Sequence, residues 1–440
     1  MASTHLTRTS GTPTNALKWT FSCWVKMSGI SEDMYILDFF TNSTNRAKIG
    51  FSNTGDFMVF EEVGSATSQS LRTTALHRDP GAWYNFVVAC DRTLATEADR
   101  TKVYVNGVQQ TSFSTATYPT QNVTGIINTA VSTAIGKNLN GTSYFNGSMT
   151  HVNFIDGTAY PASTFGETDS TSGIWTAKTT PSVTYGTNGF FLKMENASAM
   201  GTDSSGNSNT FTVSGSLTKN QDTPNNNFAT FNPLRPNSIS QTYSNGNNTV
   251  IRTGTGGQMN GTLGVTSGKW YYECLIDDYW QYLGWTALSL NTSQTITCAE
   301  ATSGFYGLYS NASAVYTYAN GSNTSQGSYT AMASGQIWGI AFDADNAKMY
   351  FSLNGTFQNS SNPENGTNPA MSSIPVTDFL VPAIGQGTGS RSSTIKMNFG
   401  NGYFGTTPVS SAGTNASGNG IFEYDVPTGY TALSTEGLNS

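Results

Sequence analysis

Paired carboxylates are the first residues to consider for catalysis, because two carboxylates together can hydrolyse a glycosidic bond. Such carboxylates flank the bond, about 5–5.5 Å apart in retaining enzymes, so on one strand they must lie at i and i+2 or i+4. The adjacent pairs Glu61-Glu62 and Asp277-Asp278 would point to opposite faces. Asp343 and Asp345 have suitable spacing, but the latter precedes an asparagine in a sequence typical of a hairpin turn. We therefore predict no catalytic residue and no enzyme activity.

Aromatic side chains beside amides and carboxylates could instead bind a sugar, because a ring covers the C–H face while polar groups contact hydroxyls. Two stretches have this composition, and we predict a carbohydrate or partner site there. Tyr279 and Trp280 flank a turn, which leaves a core role and a binding role both open. Loops rich in Tyr, Ser, Gly and Asn are also typical of protein-binding surfaces. The candidate residues are Asp277, Asp278, Tyr279, Trp280, Tyr306, Tyr309, Asn311, Tyr316 and Tyr318.

Metal-ligand patterns are missing from the sequence. The three histidines lack ligand spacing, and no Asp-x-Asp-x-Asp-Gly array occurs. We assign no metal ligand and no cofactor; calcium stays open as a ligand. The four cysteines lie mostly in strand-like runs, which favours small buried apolar side chains over a disulfide. The loop or strand-end carboxylates considered for calcium are Asp38, Asp56, Asp91, Asp99 and Asp156.

The composition and charge of the chain argue against several classes of protein. Only 11% of the residues are charged, against roughly 25% in average globular chains, and aromatic residues make up 12%. The net charge of −7, without a basic run, argues against nucleic acid as a partner. No apolar run approaches the length that a membrane span requires, so we predict no membrane insertion. The first ten residues lack the apolar segment of a secretory signal.

The elements that must position these residues are β-strands. Alternating runs recur about every 10–15 residues with turn residues between them, the pattern of an antiparallel sandwich. The runs before Asn106-Gly107 and Asn354-Gly355 share one hairpin design, because Asn-Gly favours a tight turn. We predict an all-β fold of two tandem antiparallel jelly-roll-type sandwiches, with Trp285 and Trp338 in a core. The domains are 1–165, then 166–237 as a connector packing on the first sandwich plus a linker around 222–237, and 238–440, whose C-terminal return at 424–433 folds back on the sandwich edge.

Two parts of the chain resemble known domains. The first resembles a laminin-G or concanavalin-A-like jelly roll in the segments FSCWVK, WYNFVVACD, VYVNGV and YFNGSMTHVNFIDG. The second resembles successive strands of a SPRY domain in SGKWYYECLI, YLGW, IWGIAFDADNAKMYFSLNG, LVPAIG and MNFGNGYF. These resemblances imply lectin-like or protein-binding modules.

Further segments resemble virion structural proteins of tailed phages, notably marine or cyanophage-like ones, and of some algal viruses. They include HLTRTSGTPTNALKWTFSCWVK, FIDGTAYPASTFGETDSTSGIW and QDTPNNNFATFNPL. The resemblance implies a tail fibre, head fibre or capsid decoration that is assembled in the host cytoplasm and exposed on the particle. Many tail fibres begin with a long shaft or adapter, which is not evident here, so we expect a short appendage or an outer decoration.

The virion resemblance also implies partners and a function. The expected partners are other virion structural proteins and a host-surface glycan or protein, with homo-oligomers adding avidity. The expected function is host-surface recognition through lectin-like domains without catalysis. The alternative is a cementing or decoration protein of capsid or tail that binds no receptor. A glycan-degrading enzyme is the less favoured third reading.

Overall fold

The computed structural model describes residues 4–29, 32–235, 239–254, 256–289, 297–299, 304–311, 313–387 and 391–439. The chain forms two compact units, Met1–Lys219 and Asn220–Ser440. Strands hold 46% of the residues and helices 3%, which confirms the predicted all-β class. Within the described residues, the helices are too short and too polar to span a bilayer.

The first unit consists mainly of two antiparallel sheets, with an apolar core formed by side chains from both. It contains short 3₁₀ helices at Glu97–Asp99 and Ala162–Thr164. Its strands are β1 (His5–Thr9), β2 (Lys18–Met27), β3 (Met34–Asn42), β4 (Asn45–Phe51), β5 (Asp56–Val63), β6 (Ala66–Leu76), β7 (Tyr84–Asp91), β8 (Thr101–Val105), β9 (Val108–Gln110), β10 (Phe113–Thr117), β11 (Ser132–Ile135), β12 (Gly147–Asp156), β13 (Gly166–Thr168), β14 (Trp175–Ala177), β15 (Phe190–Leu192) and β16 (Thr212–Ser214).

Alternation along each strand explains this arrangement. In β2, Trp19, Phe21 and Cys23 join the core, while the residues between them face away from it. Burial of each such large apolar side chain stabilises the fold by about 1.5–3 kcal/mol. The strand orders are β10-β6-β5-β4-β3-β11-β1-β16 and β15-β12-β2-β7-β8-β9, and β13 pairs with β14 as a separate hairpin.

The second unit is again built on two main sheets around an apolar core. It has a 3₁₀ helix at Gln358–Ser360 and one α-helical turn, α1 (Thr435–Leu438). Its strands are β17 (Ser240–Ser244), β18 (Thr249–Gly254), β19 (Gln258–Asn260), β20 (Lys269–Ile276), β21 (Gln281–Ala287), β22 (Phe305–Ser310), β23 (Val315–Ala319), β24 (Ser322–Ser325), β25 (Ile337–Asp343), β26 (Lys348–Leu353), β27 (Thr356–Phe357), β28 (Leu380–Gln386), β29 (Arg391–Asn398), β30 (Tyr403–Phe404), β31 (Thr407–Pro408) and β32 (Thr431–Ala432).

Two sheet orders describe the second unit. One sheet runs β17-β18-β29-β20-β25-β26-β27, with β32 pairing beside β20, and the other runs β19-β28-β21-β22-β23-β24. Trp285 and Trp338 are fully buried in the core, as predicted. In both predicted hairpins the Asn-Gly residues have positive φ: 46° and 80° at Asn106 and Gly107, and 46° and 83° at Asn354 and Gly355. These values place both residues in the left-handed region that such a turn requires.

The boundary between the units falls inside the segment predicted as connector and linker. Residues 166–219 belong to the first unit, where β15 pairs with β12 and β16 pairs with β1. The linker predicted around 222–237 differs from the structure, because its residues up to Arg235 belong to the second unit. Phe228 and Phe231 are 2% and 1% exposed there, and the Phe231 amide donates to the carbonyl of Asn247. The composition of this segment predicts a linker, but its buried phenylalanine rings hold it against the second unit.

The return segment, defined here as residues 411–439, folds back onto the second unit, but it covers a face of the sheet that contains β20 rather than the sandwich edge predicted for 424–433. Its strand β32 lies parallel to the start of β20. Phe422, Val426 and Tyr430 form a small apolar cluster with Tyr271 and Tyr350, separate from the main core. Tyr271 alternates with the core residues of β20, so the segment covers the other face of this sheet.

The cysteines behave as small apolar side chains. Cys23, Cys90 and Cys274 are buried and free, and Cys298 is buried as well. Burial raises the pKa of each thiol, so they stay protonated and unreactive at neutral pH. The prediction of buried apolar cysteines is confirmed.

Candidate binding site

The predicted stretch 277–280 forms the turn between β20 and β21. Because β20 pairs with β29, the start of β29 is brought alongside this turn. The Asp277 carboxylate accepts the backbone N–H of Thr394 at 2.6 Å, although the residue as a whole is exposed. That hydrogen bond links the turn to β29, which begins with Arg391.

Arg391 brings three of the predicted residues together. Its Nη2 donates to the Tyr279 hydroxyl at 2.9 Å, and its Nη1 lies 3.5 Å from Oδ1 of Asp278. Its guanidinium carbon is 4.9 Å from the ring centroid of Tyr279 and 5.2 Å from that of Trp280. These distances suit cation–π attraction. We call Asp278, Tyr279, Trp280 and Arg391 the Arg391 cluster.

The Arg391 cluster is partly open to solvent. The Arg391 side chain is 38% exposed, and Tyr279 and Trp280 are half-buried. Tyr279 also packs against the main core, so it has a core role, and its binding role stays a prediction. Aromatic surface, a cation and a carboxylate are thus fixed side by side at an accessible turn.

Buried polar side chains lie next to this turn. Arg252 is fully buried, donating from Nε to Ser393 Oγ at 2.9 Å and from Nη2 to Gln281 Oε1. Burial lowers its pKa to about 10, so the guanidinium stays charged at neutral pH. Among the described residues, no hydrogen-bond partner is found for Arg252 Nη1, Gln281 Nε2 or the Gln386 amide.

A face of tyrosines adjoins the cluster. Tyr282, Tyr309 and Tyr316 are aligned across β21, β22 and β23, with ring centroids 4.4 Å and 6.2 Å apart. Tyr318 contacts Tyr282 edge-on at 5.1 Å. A Cβ on Gly387 would lie 2.8 Å from the Tyr309 ring and 3.2 Å from the Trp280 ring. The glycine therefore allows close approach between the tyrosine face and the cluster.

Two predicted site residues lie elsewhere. Tyr306 is 7% exposed and belongs to the main core, because it points to the opposite side of β22 from Tyr309. Asn311 stabilises a turn, since its Oδ1 accepts the amides of Ser313 and Ala314 at 3.0 and 2.8 Å. Neither residue joins the Arg391 cluster.

Sequence reasoning missed Arg391 and the buried Arg252. Both arginines lie in polar stretches without a recognised motif, and only strand pairing brings them to the turn. One signal was available. With only 20 basic residues in 440, each arginine was uncommon enough to examine as a binding or core-bridging residue.

The adjacent glutamates of β5 have separate structural partners. Glu61 is fully buried, contacts Arg92 Nη2 at 2.5 Å, and accepts the backbone amides of Ile126 and Ile127. Glu62 pairs with Arg46 at 2.8 Å. Because the two carboxylates have separate partners, they are not arranged as a pair that could flank a glycosidic bond.

The acidic turn after β25 is structural too. Asp343 Oδ1 accepts the backbone amide of Asn346 at 2.9 Å, and its Oδ2 lies 3.1 Å from Lys269. Asp345 accepts the amide of Gly268 at 2.8 Å. The turn role predicted for this stretch is confirmed.

The described part of the chain contains no group of three or more His, Cys, Asp or Glu side chains that could hold a metal ion. Most carboxylates considered for calcium have other partners: Asp56 pairs with Arg72, Asp91 with Lys18 and Asp99 with Lys102. Asp156 accepts the backbone amide of Thr14 at 2.6 Å. Burial raises the pKa of Asp38 to about 7, which weakens it as a cation ligand.

Comparison with known families gives one match. A family model described as Laminin_G_3, of the concanavalin A-like lectin/glucanases superfamily, matches residues 2–163. This match agrees with the jelly roll expected there from the segments quoted above. A lectin-like fold of this kind suggests carbohydrate or protein binding. No curated protein matches the chain.

Solved structures similar to parts of the chain include two SPRY domains and a pentraxin. The SPRY domain of human HERC1 has 16% identity and a TM-score of 0.29, covering 38% of this chain and 96% of that one. The TRIM65 PSpry domain has 16% identity and a TM-score of 0.30, covering 39% and 88%. The heptameric SAP-like pentraxin of Limulus polyphemus has 15% identity and a TM-score of 0.27, covering 36% and 71%.

Proposed function

We propose that this protein is a non-enzymatic, lectin-like virion surface protein that recognises a host-surface glycan or protein through the Arg391 cluster. The geometry of the cluster is the observation that carries the proposal. Trp280 and Tyr279 offer ring surface to a sugar C–H face or an apolar side chain, while Arg391 and Asp278 offer a donor and an acceptor beside it. That combination of ring area and a few placed polar groups is typical of ligand sites.

Contacts within the cluster support recognition by preordering it. Arg391 is held by the Tyr279 hydroxyl and lies against two rings, so it loses less side-chain freedom when a ligand binds. Tyr316 and Tyr318 of the tyrosine face extend the same surface, since both are half-buried, whereas Tyr309 is buried. A glycan longer than one residue, or a protein loop, would contact both.

The structural roles of the acidic residues support binding over catalysis. The superfamily that matches the first unit includes glucanases as well as lectins. The acidic pairs weighed as candidates, however, stabilise strands and turns through ion pairs and backbone amides. Each carboxylate would have to leave those partners before it could act as an acid or a nucleophile.

The virion assignment rests on the phage-like and algal-virus-like segments of the sequence. As a virion surface protein, the chain would bind other virion structural proteins and form homo-oligomers. Symmetric copies raise avidity for a weakly bound surface ligand without adding contacts. The competing function is that of a cementing or decoration protein that binds only the particle.

A binding experiment separates these functions. The purified full chain is applied to a glycan array, to host cells and to assembled particles lacking the protein, with Arg391→Ala as a matched variant. Receptor recognition predicts array or cell binding that the variant loses. Tight binding to particles, without binding to glycans or cells, would support the cementing function instead. Release of reducing sugar from host polysaccharide would contradict the non-enzymatic assignment.

A further inference from the structure

The second unit also contains a cavity that the Arg391 cluster does not line. A cavity of about 650 Å³ opens between residues 355–364, which follow β26, and residues 414–428 of the return segment. Its volume falls in the range of about 300–1,000 Å³ found for ligand pockets. None of its lining residues belongs to the cluster assigned above.

The cavity carries two carboxylates fixed by hydrogen bonds. Glu364 Oε1 accepts the backbone amide of Thr428 at 2.8 Å. Asp425 Oδ1 accepts both the amide and the hydroxyl of Thr414, at 2.6 and 2.8 Å. These bonds lower the pKa of both carboxyl groups, so both are ionised at neutral pH. Of the described residues that line the cavity, none is Lys, Arg or His.

The rest of the lining is mixed. Phe357, Val426 and Pro427 supply apolar surface. Ser361 also lines the cavity; it is 8% exposed, and its hydroxyl has no hydrogen-bond partner among the residues that the structure describes. A ligand that suits this lining has an aliphatic part and a positively charged, hydrogen-bonding end. An anionic ligand would meet two uncompensated negative charges.

We propose that this cavity binds a basic segment of a partner protein, with the stem of a lysine or arginine on the apolar lining and its cationic end paired with Glu364 and Asp425. Long basic side chains combine an aliphatic stem with a charged end, and a cavity of this size accepts more than one residue. The site would therefore mediate a protein contact independent of glycan recognition by the Arg391 cluster.

The test uses the full-length protein and a short, terminally blocked peptide with one central lysine. A matched peptide has norleucine in place of lysine, which retains the stem and removes the charge. Binding is measured by calorimetry and by chemical shifts of the second unit. We expect the lysine peptide to bind at low salt and to weaken as salt rises, while the norleucine peptide binds at least about ten-fold more weakly, equivalent to about 1.4 kcal/mol.

Variants locate the site. The double variant Glu364→Gln/Asp425→Asn retains the shape of both side chains and should lose at least about ten-fold in lysine-peptide affinity. Asp378→Asn is the matched control, because Asp378 is an exposed, hydrogen-bonded carboxylate of the same unit outside the cavity. Equal binding of the two peptides, or an unchanged double variant, would overturn the proposal. The peptide comparison needs only the wild-type chain, so it decides the question even if the double variant fails to fold.

Discussion

At the scale of single residues, the candidate site depends on the shape of Arg391 as much as on its charge. The planar guanidinium donates to a hydroxyl while lying within cation–π distance of two rings, which an ammonium group cannot reproduce. The side chain is exposed enough that its contribution to folding is small.

Arg391→Lys should therefore weaken ligand binding at least about five-fold, which is about 1 kcal/mol, and change the free energy of unfolding by less than about 1 kcal/mol. Titration against the glycan or protein identified in the binding experiment measures the first quantity, and thermal unfolding the second. Unchanged affinity would show that charge alone matters, or that the ligand binds elsewhere.

The buried ion pair of the first unit should contribute much more to stability than the exposed Arg391 does. The side chains of Arg92 and Glu61 are 1% and 0% exposed, so Arg92→Ala leaves a carboxylate buried without its cation. We expect a loss of about 3–5 kcal/mol in the free energy of unfolding. Arg46→Ala is the control, because its pair with Glu62 is more accessible, and should cost less than about 1 kcal/mol. Urea denaturation measures both, and equal losses would contradict the distinction.

At the scale of elements, the return segment is attached to β20 through a buried carboxylate. Glu273 is fully buried and accepts the backbone amides of Glu423 and Tyr424, each at 2.9 Å, and the amide of the Asn398 side chain at 3.2 Å. Burial raises its pKa to about 7, outweighing these hydrogen bonds. A carboxyl group with a raised folded-state pKa contributes stability below its unfolded pKa of about 4.5 and loses it as the pH rises through 7.

Glu273→Gln removes this titration while retaining an acceptor oxygen. Relative to the Gln variant, the wild-type second unit should therefore lose up to about 3 kcal/mol of unfolding free energy between pH 4.5 and 8. Denaturant titrations of both proteins across this range measure the difference. A difference independent of pH would mean that Glu273 does not change its protonation between the folded and unfolded states in that range.

The strands and turns also show which parts of the fold could be predicted from the sequence. Alternation and Asn-Gly turns predicted the hairpins and the core tryptophans, because these features depend on residues close in sequence. Tyr306 was proposed as a site residue but lies in the main core, since a Tyr-rich composition does not reveal which side chains are buried. The partnership of Tyr279 with Arg391 spans 112 positions, and only the pairing of β20 with β29 reveals it.

At the scale of the whole molecule, the chain is two units, each with a separate apolar core. The predicted boundaries near 165 and 237 followed composition, because turn-rich stretches usually link domains. The actual division at Lys219 and Asn220 follows burial. Phe190 and Phe211 are core residues of the first unit, and Phe231 is a core residue of the second.

Dividing the chain between Lys219 and Asn220 should give two fragments that each fold. Fragments 1–219 and 220–440 should each unfold cooperatively, whereas a fragment starting at 238 should be less stable by several kcal/mol, because it loses the buried rings of Phe228 and Phe231. Denaturant unfolding of the three fragments tests this directly. A 238–440 fragment as stable as 220–440 would contradict the assignment of residues 220–235 to the second core.

The most direct test of the recognition function is the affinity of the full chain for host cells or their surface glycans when Trp280 is replaced by alanine. Phe379→Ala is the control, because Phe379 is an aromatic residue of the same unit, 55% exposed and outside the Arg391 cluster. We predict that Trp280→Ala weakens binding at least about ten-fold and that Phe379→Ala leaves it unchanged. Equal affinity of wild type and Trp280→Ala, in a protein shown to bind, would contradict the central claim.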